Sequence, residues 1–115
     1  MSAIKLEEPK KFDPIKAANI VRPLVYRILG KNRFDARHVD CWRKLILQSC
    51  LKGLKAFWGD SYKYVVTCSI AARNGSQFHS ANVYNFGGNA GGSCNVRCDD
   101  NPHMDCFITV FLVSI

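Results

Sequence analysis

The chain has 115 residues, 48% of them hydrophobic, and a formal charge of +7. Its length fits one domain of roughly 100 to 200 residues with a core of its own, and its apolar content excludes a disordered chain. No apolar run of about 18 residues exists for a membrane helix, and Met1 to Phe12 lacks the apolar centre of a signal peptide, so an intracellular, non-membrane protein with reduced thiols is expected. The basic character belongs to the first half alone: residues 1–63 hold 14 Lys or Arg against 6 Asp or Glu, and residues 64–115 hold 2 against 3. Basic side chains scattered along helices read as a solvated face or a contact for acidic protein. Without interleaved exposed aromatics or a base-reading motif, no nucleic-acid partner is expected.

Residues 1–12 mix Lys, Glu and Pro and are expected to be a flexible N-terminal segment; residues 13–115 form the domain. Asp13 followed by Pro14 predicts a helix start, with the carboxylate accepting from free amides and Pro at the first position, where no donor is missed. Ile15, Ala18, Val21, Val25 and Ile28 recur at helical spacing, and Gly30 ends the pattern. Pro23 predicts a kink or break near Arg22, because its ring clashes with the carbonyl of Asn19. Asp35 is expected to cap a second helix whose stripe is Val39, Trp42, Ile46, Cys50 and Leu54, widened by Leu45, Leu47 and Leu51. Gly59 and Asp60 stop it.

The period then changes to 2. Tyr62 to Arg73 alternates as a strand with Tyr62, Tyr64, Val66, Cys68, Ile70 and Ala72 on one face, and Asn74-Gly75 marks its end. A second strand is expected over Gln77 to Asn85, a flexible loop over Gly87 to Gly92, a third strand over Ser93 to Cys98, a turn over Asp99 to His103, and a fourth strand over Met104 to Ile115. By parity the fourth strand puts Phe107, Phe111, Val113 and Ile115 on one side and Cys106, Ile108, Val110 and Leu112 on the other, so it is expected to be buried on both faces. One helical layer covers one face. A chain this short has little left for the other, whose cover is expected from a second subunit.

Three chemical readings compete for the polar residues. Cys94, Cys98, His103 and Cys106 form C-x3-C-x4-H-x2-C, the basis of an alternative reading as a small zinc-knuckle-like nucleic-acid-binding protein. The spacing argues against it: knuckles use a tight C-x2-C turn, whereas Cys94, Val96 and Cys98 read as one inward face of a strand. Cys68 with His79 could suggest a thiol nucleophile, but no acid–base spacing accompanies the pair, and Cys41, Cys50, Cys68 and Cys106 all lie in apolar periodic segments as packing residues. The run from Gly87 to Gly92 lacks a following Lys-Thr and helix, so it is no phosphate loop. No enzyme, cofactor or metal is expected.

Trp42 in the second helix, Tyr64-Val65-Val66-Thr67-Cys68, Asn74-Gly75, Phe78-His79-Ser80-Ala81, Gly92-Ser93-Cys94 with Val96-Arg97, and the ending Ser114-Ile115 together resemble the Tctex-type dynein light chains from about Asp13 onward. The chain departs from the usual pattern at Cys98, where many members carry Trp, at Leu112, where Gly is common, and at Pro23, where a helix former is usual.

The resemblance implies an α+β fold, two N-terminal helices packed on a four-stranded antiparallel sheet, in a strand-exchanged homodimer or a pair with a sibling light chain. It implies the dynein intermediate chain as partner, cargo adaptors for some members, and a place in the cytoplasm on the cytoskeleton or in a cilium or flagellar axoneme. Peptide capture by β-strand addition maps onto Phe78, His79, Ser80, Ala81, Asn82 and Val83. The dimer interface is expected at Val83, Tyr84, Phe86, Ile108 and Val110.

Overall fold

The computed structural model describes residues 11–73, 86–88 and 91–115. Helix α1 spans Pro14–Leu29, with Asp13 at its cap accepting from the Ile15 amide at 3.0 Å, and ends at Gly30, whose φ of 51° lets its amide return to the Tyr26 carbonyl. Its buried stripe is Pro14, Ala17, Ala18, Val21, Val25 and Leu29; Ile15, expected in the stripe, is 63% exposed. The helix runs unbroken through Pro23, contrary to the expected break. An internal Pro costs roughly 3 kcal/mol, and the burial of Val21, Val25 and Leu29 on either side of it offsets that cost.

Helix α2, Val39–Trp58, begins later than Asp35 implied. Asp35 instead closes a turn ahead of the helix, its carboxylate accepting from the Arg37 amide and guanidinium and meeting His38 Nδ1 at 3.0 Å. The buried stripe is narrow, Ile46, Cys50, Leu54 and Trp58, while Leu45 and Leu51 face outward. Gly53 sits where α1 crosses, and a Cβ there would press within 3.2 Å of Ile20 and Leu24. The packed region reaches back to Lys11 and Phe12, at the end of the segment expected to be flexible. Phe12 is buried against the Trp58 ring, whose indole N–H donates to the Lys11 carbonyl at 3.0 Å.

A single 3-10 turn, Gly59–Ser61, leads into β1, Tyr62–Ala72; β2 is Phe86–Gly88, β3 is Gly91–Cys98 and β4 is Met104–Ser114. The sheet is antiparallel in the order β1-β4-β3-β2, so the most apolar strand lies between β1 and β3. The expected second strand, Gln77 to Asn85, lies outside the described residues. The expected glycine loop is replaced by pairing: Gly87 opposes Gly92 and Gly88 opposes Gly91. Gly91 has φ 115°, and a Cβ on it would collide with the Leu112 carbonyl oxygen, so the close approach of β3 to β4 there requires glycine.

Both helices lie on one face of the sheet. Cys94, Val96, Cys98, Cys106, Ile108, Val110 and Leu112 point into that layer and are at most 4% exposed. Asn101 fastens the β3–β4 turn to the end of α1. Its side-chain amide donates to the carbonyls of Gly30 and Asn32, and its oxygen accepts from the amides of His103 and Met104. No described helix is long and apolar enough to cross a membrane.

Candidate interaction face

No described helix lies on the other side of the sheet, whose composition follows from the register. Lys63, Val113 and Gly91 stand in one row across β1, β4 and β3; the next rows are Val65–Phe111–Ser93, Thr67–Thr109–Asn95 and Ser69–Phe107–Arg97, and Ala71 pairs with Asp105. Val65 is 46%, Phe111 43% and Val113 52% exposed, and Ile115 continues the stripe past the strand end. The parity reading of β4 therefore holds, but within one chain only one of its faces is buried. Large apolar side chains gathered on one sheet face are a surface that a soluble chain ordinarily covers.

The face is graded along the strands. In the middle, Thr109 Oγ1 donates to Asn95 Oδ1 at 2.7 Å. At the far end Asp105, 7% exposed, accepts from Arg73 Nη2 at 2.6 Å and Arg97 Nη2 at 3.3 Å, and Arg73 also donates to the Asp99 carbonyl. One carboxylate between two guanidiniums leaves a local charge of +1, and Arg97 Nε is buried without a hydrogen-bond partner among the described residues. The face thus runs from apolar at Val65, Phe111 and Val113 to cationic at Arg73 and Arg97, which gives a partner both area and register.

The sequence-derived site residues fall in three places. Phe78, His79, Ser80, Ala81, Asn82, Val83 and Tyr84 lie outside the described residues, and Phe86 opens β2 opposite Ser93. Ile108 and Val110, expected at a subunit interface, are fully buried under the helices of their own chain and have no surface to offer a second one. Their outward neighbours Thr109 and Phe111 occupy the open face instead.

The rival chemistries find little support in the geometry. Cys94, Cys98 and Cys106 point into the helix–sheet core, and among the described residues no cluster of three His, Cys, Asp or Glu side chains could hold a metal ion. The zinc-knuckle alternative therefore lacks a site there. All six cysteines are free; Cys41, expected in the packing, is exposed on α2. Burial pushes the thiols of Cys50 and Cys98 up to about 12 and that of Cys94 up to about 11. The acidic Asp105 and its two arginines carry no sequence signal beyond their parity, since their meeting depends on β4 pairing with both β1 and β3.

Comparison with known proteins bears on the same span. The Tctex-1 family model matches residues 11–113. The chain is 32% identical over 104 residues to the mouse dynein light chain Tctex-type 3, covering 90% of this chain and 88% of that one. It is 27% identical over 108 residues to the Drosophila melanogaster dynein light chain Tctex-type, covering 94% and 96%, and 32% identical over 92 residues to that of Dictyostelium discoideum, covering 80% and 82%.

Proposed function

This chain belongs to the Tctex-1 family, and on that premise we propose that it is a non-catalytic dynein light chain that dimerises and holds a disordered segment of the dynein intermediate chain. The single observation that carries the reading is the sheet face that no described helix covers, with Val65, Phe111 and Val113 aligned in adjacent rows and roughly half exposed. A second copy covers it. The interface is assigned to these residues and Phe107 in place of Ile108 and Val110, with Val83, Tyr84 and Phe86 contributing through strand exchange. Apolar side chains removed from water contribute about 25 cal/mol per Å², so the face favours association wherever a partner of the same shape is present.

Peptide capture is assigned to Phe78 to Val83, the segment whose sequence is expected to form the second strand. An edge strand has unpaired amides and carbonyls that an extended client satisfies, while alternate side chains fill shallow pockets: Phe78 gives apolar contact, and His79, Ser80 and Asn82 give polar selection. Two such edges on a dimer align two clients, and each bound site raises the effective concentration at the next. This role places the chain in the cytoplasm on the cytoskeleton; an axonemal motor would use the same chemistry, and cargo adaptors or a sibling light chain would enter through the same two surfaces.

Titration calorimetry with the disordered amino-terminal segment of a dynein intermediate chain tests this. Saturable binding at one segment per chain is the expected result, lost when Ser80 and Asn82 are replaced by Pro, which removes edge donors. Equal affinity in the Pro variant would move the groove elsewhere, and no binding by the native chain would overturn the assignment.

A further inference from the structure

Cys68 and Cys106 stand apart from the other thiols. Cys68 lies on β1 and Cys106 on β4, both on the core face, diagonally across the ladder in which Cys68 pairs with Ile108 and Ile70 with Cys106. Their sulfurs are 3.7 Å apart and share a hydrogen bond. The two differ in access. Among the described strands β1 is at the edge and Cys68 is only half-buried, whereas β4 is flanked on both sides and Cys106 is fully sealed.

We propose that Cys68 and Cys106 form a peroxide-reactive dithiol, with Cys68 as the attacking sulfur and Cys106 as the resolving one, that closes to an intramolecular disulfide between edge and centre of the sheet. The assignment of roles follows from access and from the shared proton. A two-electron oxidant entering past the edge strand meets Cys68 first and cannot reach Cys106. The hydrogen bond shared with Cys106, helped by the nearby positive charge of Arg43, lowers the proton affinity of Cys68, while the same bond and burial raise that of Cys106, in keeping with the roles that access assigns.

The chemistry balances with hydrogen peroxide as the named oxidant. The Cys68 thiolate attacks one peroxide oxygen; the S–O bond forms, the O–O bond breaks, and the departing hydroxide takes a proton to become water. Cys106 then attacks the Cys68 sulfenic sulfur; the S–S bond forms, the S–O bond breaks, and the Cys106 proton leaves with the hydroxide as a second water. Two thiols are oxidised by one electron each and one peroxide is reduced to two waters. Closing from 3.7 Å to a bond of about 2.05 Å needs a rotamer change and a small approach of the strands. An edge strand has that freedom, since no strand pairs with its outer side among the described residues. The remaining thiols fit no such scheme: Cys50, Cys94 and Cys98 are sealed and held protonated by burial, and Cys41 is exposed outside the core.

The test treats the purified full chain with a few molar equivalents of hydrogen peroxide, alkylates the remaining thiols in denaturant, and maps the unreduced peptides. Four of the six thiols are expected to remain alkylatable, with Cys68 and Cys106 in one linked peptide and all six recovered after dithiothreitol. In Cys106→Ala, Cys68 is expected to stop as the sulfenic acid and take up a 1,3-dione probe. Should that variant fold poorly, the native peptide map decides alone. Six unreacted thiols, linkage through any other pair or between chains, or sulfinic Cys68 beside free Cys106 would each overturn the proposal.

Discussion

Replacing Asn101 by Ala isolates the joint between the helical layer and the sheet. The native side chain is 3% exposed and makes four short hydrogen bonds: to the Gly30 carbonyl at 3.0 Å, to the Asn32 carbonyl at 2.9 Å, and from the amides of His103 at 2.6 Å and Met104 at 2.9 Å. At a net worth of about 1 kcal/mol each these sum to about 4 kcal/mol. Three of the bonds are only partly buried, so water recovers some of the loss, leaving about 3 kcal/mol and a fall in melting temperature of roughly 10 °C for a domain of this size. Urea unfolding followed by circular dichroism measures it. Asn101→Asp separates the two halves of the joint. It keeps the acceptor for His103 and Met104 but turns a carboxylate oxygen toward the carbonyls of Gly30 and Asn32, which raises the folded-state pKa of the new group. Its stability is therefore highest below the unfolded carboxyl value of about 4 and is lost as pH rises through the raised folded value. A loss below about 1 kcal/mol in Asn101→Ala, or an Asp variant that gains stability on going from acid to neutral pH, would refute the reasoning.

Other outcomes follow from the same geometry. Ile108→Ala, at a fully buried site beneath the helices, is expected to cost about 2–5 kcal/mol in denaturant unfolding. Val113→Lys, on the open face, is expected to leave helix and strand content intact while lowering the mass in sedimentation toward that of one chain. The Asp35 carboxyl is held down from 3.8 to about 2, chiefly by the side-chain hydrogen bond from Arg37 and then by the Arg37 amide. Because the folded value is depressed, the turn it closes is fully supported above the ordinary carboxyl range and loses that support as pH falls through about 2, a midpoint that carboxyl NMR titration reads directly. A midpoint near 3.8 would show that Arg37 does not hold it.

Much of the fold was legible because it rests on local signals. Asp13-Pro14 and Gly30 bound α1 as a cap, a first-turn Pro and a left-handed terminator should, and the two-residue period of residues 104–114 assigned each side of β4 correctly. Errors came where the deciding contact is distant in sequence. Leu45 and Leu51 match helical spacing, yet the face of α2 that meets the sheet is only one residue wide per turn, so they remain outside. Gly87, Gly88, Gly91 and Gly92 look like a loop from composition but are ladder partners across β2 and β3, and the close approach of β3 to β4 leaves no room for a Cβ at Gly91. That Ile108 and Val110 lie under the chain's own helices was not legible either, because a two-sided apolar strand does not announce which side its own helices cover.

The meeting of Cys68 with Cys106, and of Asp105 with Arg73 and Arg97, was hidden for the same reason. Strand order in the sequence places β1 beside the next strand, whereas β4 inserts between β1 and β3, and only that insertion brings the 68 and 106 thiols into contact. Asn101, in a turn read as a simple connection, gave no periodic signal at all; its importance lies in the backbone groups it satisfies at the end of a helix 70 residues away in the chain.

The open sheet face makes the mass of the native chain in solution the most direct test. Sedimentation equilibrium at micromolar concentration is expected to give twice the 12.9 kDa of one chain, with Val113→Lys shifting the population toward the single chain. A native protein that sediments as one 12.9 kDa species across that range would mean that Val65, Phe111 and Val113 stay in water, and the light-chain assembly built on them would not stand.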